Sequence, residues 1–195
     1  MNLIKAAMIM PRHVDRKLVL LRHAKSAWPD VPDRERPLAR RGRRDAPVMG
    51  RWLRVSGHVP DQVLCSTARR ARETWQLVQS GLGIAPPVEF DDGVYEAAAE
   101  RLLELIRRAR PTAGTLLVVG HDPAIPELAL TLAATAAVQA GAVRDVAPSA
   151  VLERMRAKFP TAAVAVLEFT GNWNQLTPGA ARLICFVTPR DLAAS

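Results

Sequence analysis

Cysteine is almost absent from this chain: Cys65 and Cys185 stand alone, far apart and without CxxC spacing. That excludes a disulfide framework and a cysteine-based zinc site. Each lies in an apolar run that reads as a strand, so both are expected to be reduced core residues. Long apolar runs are missing too. The opening MNLIKAAMIM is too short for a signal-peptide core and Pro11 soon interrupts it, while residues 128–143 are uncharged but rich in Ala, Thr and Gln. Neither reads as a membrane span. No partner in a membrane is expected, and the cytoplasm is the expected location. The histidines and carboxylates form no HxH pattern or carboxylate cluster, so neither a metal nor another cofactor is expected. Internal repeats and a second domain are also lacking.

What is present is ordinary globular material with an unusual charge. The 195 residues suit one compact domain, 49% of them hydrophobic and 24% charged. We read residues 1–16 as an N-terminal extension and 17–195 as the domain. The net charge of +8 includes six arginines between Arg34 and Arg44, which favours anionic partners. Nucleic acid is not the expected one, because no aromatics interleave this cluster and no recognised nucleic-acid module stands out.

From Lys17 onward, strand-like apolar runs alternate with amphipathic helical segments. Leu18–Leu21, Gln62–Cys65, Thr115–Val119, Ala163–Phe169 and Arg182–Val187 read as strands. Helices are predicted over Arg40–Val55, Ala68–Gly81 and Ala97–Ala109, and again after His121, with Asp122 as N-cap and Pro123 in the first turn. The alternation predicts an α/β three-layer sandwich, a central mainly parallel sheet flanked by helices. Trp28, Trp52, Trp75 and Trp173 are expected to pack in it.

Active sites of such sheets gather at the carboxyl ends of strands. Three segments put polar residues there: Arg22 and His23 in LVLLRHAKS, Arg70 in CSTARRARET, and His121 in VVGHDP. Two arginines and two histidines on one edge suit a dianion. Phosphoryl transfer needs such a set because charge spreads over three oxygens as the bond breaks. An imidazole can also attack phosphorus and form a covalent intermediate.

The segments LVLLRHAKS, RPLARRGRRDAP, CSTARRARETW and LLVVGHDP, in this order and spacing, resemble the histidine phosphatase superfamily. The resemblance runs from about Lys17 to Leu192 and is greatest to the small SixA-type phosphohistidine phosphatases, since Ala24-Lys25-Ser26 stands where mutase-like members carry Gly-Glu. It implies a phosphoglycerate mutase-like fold and a metal-independent phosphatase acting through a covalent phosphohistidine intermediate. His23 matches the family's nucleophile, Arg22 and Arg70 its phosphate-binding arginines, and His121 its second pocket histidine. Glu96 occupies the region of the general acid that ester-cleaving members use, and equally the start of a helix, where a negative side chain is stabilised. Lys25, Ser26 and the Asp33-x-x-Arg36-Pro37-Leu38 segment fall at the entrance. The implied partner is a phosphorylated protein carrying phosphohistidine. A small phosphorylated substrate or a non-catalytic phosphate-binding module remains the alternative.

Overall fold

The computed structural model describes residues 15–133 and 147–193. Residues 1–14 of the expected extension lie outside that range. The chain follows β1 (Asp15–Arg22), α1 (Arg40–Val55), β2 (Gln62–Ser66), α2 (Arg69–Leu82), β3 (Val88–Asp91), α3 (Ala99–Ile106), β4 (Thr115–Gly120), α4 (Ala124–Ala133), α5 (Ala147–Ala157), β5 (Val164–Thr170), β6 (Arg182–Val187) and α6 (Pro189–Ala193). The strands form one sheet in the order β3-β2-β4-β1-β5-β6. β3, β2, β4 and β1 run parallel, while β5 is antiparallel to β1 and β6 to β5. The expected sandwich is therefore present, with a mixed sheet that is parallel where the candidate residues lie.

The apolar runs divide by a period of two, as a strand's alternating side chains require. Leu18 and Leu20 of β1 join Leu116 and Val118 of β4 in the core beneath α3, α4 and α5. Val19, Leu21, Leu117 and Val119 face the other way, toward Ala46, Met49 and Leu53 of α1 and Ala71, Trp75 and Val78 of α2. A strand covered on both faces must be apolar throughout, which is why LVLL shows no alternation in the sequence.

Several features depart from the sequence reading. β1 begins at Asp15, two residues before the expected start at Lys17. Arg16 is buried there, donating from Nε to the Gly171 carbonyl (2.7 Å) and from Nη2 to that of Pro111 (2.8 Å). The third predicted helix is shorter, Ala99–Ile106, and turns follow it. β3 and α5 were not predicted. Trp75 and Trp173 are core residues, but Trp28 is 75% exposed, stacked against the Arg36 guanidinium 3.1 Å from its ring centroid. Cys65 is buried and Cys185 half-buried, both as free thiols.

α1 and α2 meet through glycine. A Cβ on Gly50 would collide with the Val78 carbonyl, and one on Gly81 with that of Pro47. Gly42, near the start of α1, lies as closely on the Lys25 carbonyl, just beyond His23. This contact fixes the helix against the loop that leaves β1. We expect Gly50→Ala to cost about 1–3 kcal/mol through overpacking, read as a lower urea midpoint with an unchanged m-value.

Candidate active site

β1, β4 and β2 end at one level. Arg22 pairs with Gly120 and Cys65 with Val119 in the parallel register. The next peptide continues the lock, His23 N–H donating to the Gly120 carbonyl at 2.9 Å. The imidazoles of His23 and His121 thereby come together, ring centroids 5.2 Å apart. Both side chains are buried.

The orientation of His23 follows from its neighbour. Its Nδ1 lies 2.8 Å from the Ala24 carbonyl, which can only accept, so Nδ1 carries the proton. Burial is the largest influence on the ring, with His121, Arg70 and Arg22 adding repulsion, and its pKa falls to about 3. At neutral pH the ring is uncharged and its Nε2 lone pair is free. The Ala24 peptide is held in turn by buried Thr74, whose Oγ1 accepts from Ala24 N–H (3.0 Å) and donates to the Arg70 carbonyl (2.6 Å). Thr74 thus ties the His23 loop to the helix that carries Arg70.

His121 is placed by Ser66, whose Oγ lies 2.7 Å from Nε2 and also accepts from Ala68 N–H at 3.2 Å. Ser66 thus serves the start of α2 and the imidazole at once. Burial, then the Arg70 charge, lowers the His121 pKa to about 4. Its Nδ1 is buried without a hydrogen-bond partner, as is Arg22 Nε. These are the polar atoms that an anion between the imidazoles would satisfy.

Each arginine is oriented by a carboxylate. Arg22 donates to the Phe159 carbonyl (2.6 Å) and its Nη2 pairs with Asp122 at 3.0 Å. Asp122, expected as an N-cap, is thus a counter-ion to Arg22. Arg70 donates from Nη1 to the main-chain oxygen of Asp33 (2.7 Å) and pairs through Nη2 with its carboxylate (2.9 Å). Asp33 also receives Arg36 Nη1 at 2.7 Å and the Tyr95 hydroxyl at 3.0 Å. Arg36 reaches back to Ser26 Oγ (2.6 Å), closing the entrance loop on itself. Tyr95 stands edge-on to His121, centroids 5.6 Å apart.

Glu96 is placed differently. It follows Tyr95 at a left-handed φ of 59° and is exposed, while α3 begins only at Ala99. Asp92 faces outward, paired with Arg34 and Thr67, and Asp91 accepts from Gly93 N–H (2.6 Å). Tyr95 and Asp122 carried no site signal in the sequence, whereas Ser66 and Thr74 both lie within the CSTARRARETW segment that carries Arg70.

Fold and geometry together bring two guanidinium and two imidazole groups to the carboxyl edge of the sheet. A family model for the histidine phosphatase superfamily (branch 1) matches residues 18–106. An uncharacterised protein of Mycobacterium tuberculosis is 43% identical over 171 residues, covering 87% of this chain and 100% of the relative. A solved chain from Nakamurella multipartitia, assigned as phosphohistidine phosphatase SixA, has a TM-score of 0.76 and 35% identity, covering 90% of this chain and 96% of that one. One from Agrobacterium tumefaciens, assigned likewise, has a TM-score of 0.67 and 29% identity, covering 89% and 98%. The chain belongs to the histidine phosphatase superfamily, in its SixA-like branch.

The two depressed imidazoles make stability depend on pH. Unfolded, each protonates near 6.5; folded, they protonate near 3 and 4. As pH falls through that window the unfolded chain binds more protons, so stability present at pH 7 is progressively lost. The urea midpoint should drop between pH 7 and pH 5, and a His23→Gln/His121→Gln protein should show a smaller drop. An equal drop in both would locate the pH dependence elsewhere.

Proposed function

We propose that this protein is a metal-independent phosphatase that removes the phosphoryl group from phosphohistidine on a protein, through a covalent intermediate on His23. The observation that carries this reading is the locked tautomer of His23: Nδ1–H is held by the Ala24 carbonyl, leaving Nε2 as an uncharged nucleophile beside His121. In the proposed reaction Nε2 attacks phosphorus. Arg22 Nε and the free N–H groups of Arg70 bind the phosphoryl oxygens. His121 donates from Nδ1, its tautomer set when the Ser66 hydroxyl donates to Nε2. These preorganised donors stabilise charge on the equatorial oxygens as the old bond breaks. Water then hydrolyses phospho-His23.

Branch and leaving group together support phosphohistidine as substrate. An imidazole leaves more readily than an alkoxide, so an exposed Glu96 suffices as an acid of minor importance. The absence of a helix long and apolar enough to cross a membrane, among the described residues, is compatible with the expected cytoplasmic site of action.

The test is phosphate release from a phosphohistidine-bearing peptide in the presence of EDTA. Wild type should turn over, and His23→Ala should fall to background while keeping its circular dichroism and thermal transition. Glu96→Gln should retain most activity on this substrate. Release by folded His23→Ala would contradict the assignment. Activity confined to small phosphate esters would shift the substrate class, and phosphate binding without turnover would favour a recognition module.

A further inference from the structure

The nucleophile lies deep, and the Asp33 carboxylate paired with Arg70 lies near the surface. His23 and His121 form the buried floor, whereas the Asp33 side chain is 49% exposed at the mouth. In-line displacement sends the leaving group away from the nucleophile, hence from the floor toward the mouth. A group at the mouth is placed to meet it. Asp33 is held there by Arg36, Arg70 and Tyr95.

A carboxylate offers about four acceptor positions. Arg36 takes one on Oδ1, while Arg70 and Tyr95 both engage Oδ2, so an acceptor position on Oδ1 stays open. The hydrogen bond from Arg36, with those from Tyr95 and Arg70, holds the carboxyl at a pKa of about 2. Such a group accepts a proton-bearing donor but cannot deliver a proton to an alkoxide. The distinction separates two kinds of substrate. An ester oxygen needs a proton supplied as it leaves. A phosphorylated imidazole leaves well when its second ring nitrogen already carries a proton, and a fixed anion stabilises that cationic ring.

Resting on the phosphatase reading above, we propose that Asp33 is the specificity-determining residue of this site, accepting the N–H of the leaving imidazole and so favouring N–P over O–P cleavage. In this step the His23 Nε2 lone pair forms the new N–P bond. The substrate's N–P bond breaks and its electron pair returns to the departing ring. That ring leaves as neutral imidazole, keeping the proton held by Asp33. The exchange is symmetrical: the ring that gains the phosphoryl has its N–H on the Ala24 carbonyl, and the ring that loses it has its N–H on Asp33.

The experiment compares wild type with Asp33→Asn on two probes, a phosphohistidine peptide and p-nitrophenyl phosphate, whose aryloxide leaves without a proton. Asparagine retains an acceptor for the arginines but removes the charge. We expect kcat/KM on the peptide to fall about 10- to 100-fold, the worth of a hydrogen bond to a charged group, with a much smaller loss on the aryl ester. The peptide's alkaline limb should also move to lower pH, because the variant no longer stabilises the protonated ring. Equal losses on both probes, with the pH profile unmoved, would show that Asp33 only orients Arg70 and would overturn the inference. Inhibition by orthovanadate reports separately whether the anion site survives, and Asp33→Glu should recover part of the peptide activity. If wild type cleaves the aryl ester but not the peptide, the substrate class itself fails, a result distinct from equal losses in the variant.

Discussion

Three parallel strands that end at the same level are the constraint on which this site depends. Had β1, β4 and β2 been offset by one residue, the pleat would have turned His23 or His121 to the opposite face. The register pairs Leu18–Leu21 with Leu116–Val119, and both runs are buried. The two imidazoles are therefore brought together by backbone pairing, before either makes a contact of its own. The Gly42 contact of α1 then holds the loop beyond His23 in place.

On this frame the polar groups are arranged in layers. The His23 tautomer is set by a main-chain carbonyl, and that peptide by Thr74. His121 rests on Ser66, Arg22 on Asp122, and Arg70 on Asp33. Preorganisation of this kind is what electrostatic catalysis requires, because donors already aimed need no rearrangement as charge develops. It also reconciles a basic protein with a mouth bearing carboxylates. Arg22 keeps a buried Nε without a partner, while Nη2 of each arginine is paired with an acid.

Much of this was legible in the sequence because the informative pieces are local. A strand run ending in Arg-His, another followed by Ser and Arg, and a third ending in Gly-His each show a side chain at a sheet edge. The supporting contacts were not legible for the opposite reason. Thr74 lies 50 residues from Ala24, Ser66 55 from His121 and Arg70 37 from Asp33, and no local pattern reports such meetings. β3 escaped notice because it is a four-residue edge strand with Glu89 and Phe90 both exposed. Arg16 falls within the expected N-terminal extension, and only the carbonyls of two distant loops explain its burial.

The central claim is that His23 carries the phosphoryl group on a particular nitrogen. Rapid acid-free quenching during turnover, followed by peptide mapping that distinguishes the two phosphohistidine isomers, tests it directly. The account predicts an alkali-stable, acid-labile phosphoryl group on Nε2 of His23, because Nδ1 is committed to the Ala24 carbonyl. A phosphoryl group on Nδ1 or on another residue, or turnover with no phosphoenzyme under conditions that should accumulate it, would contradict it.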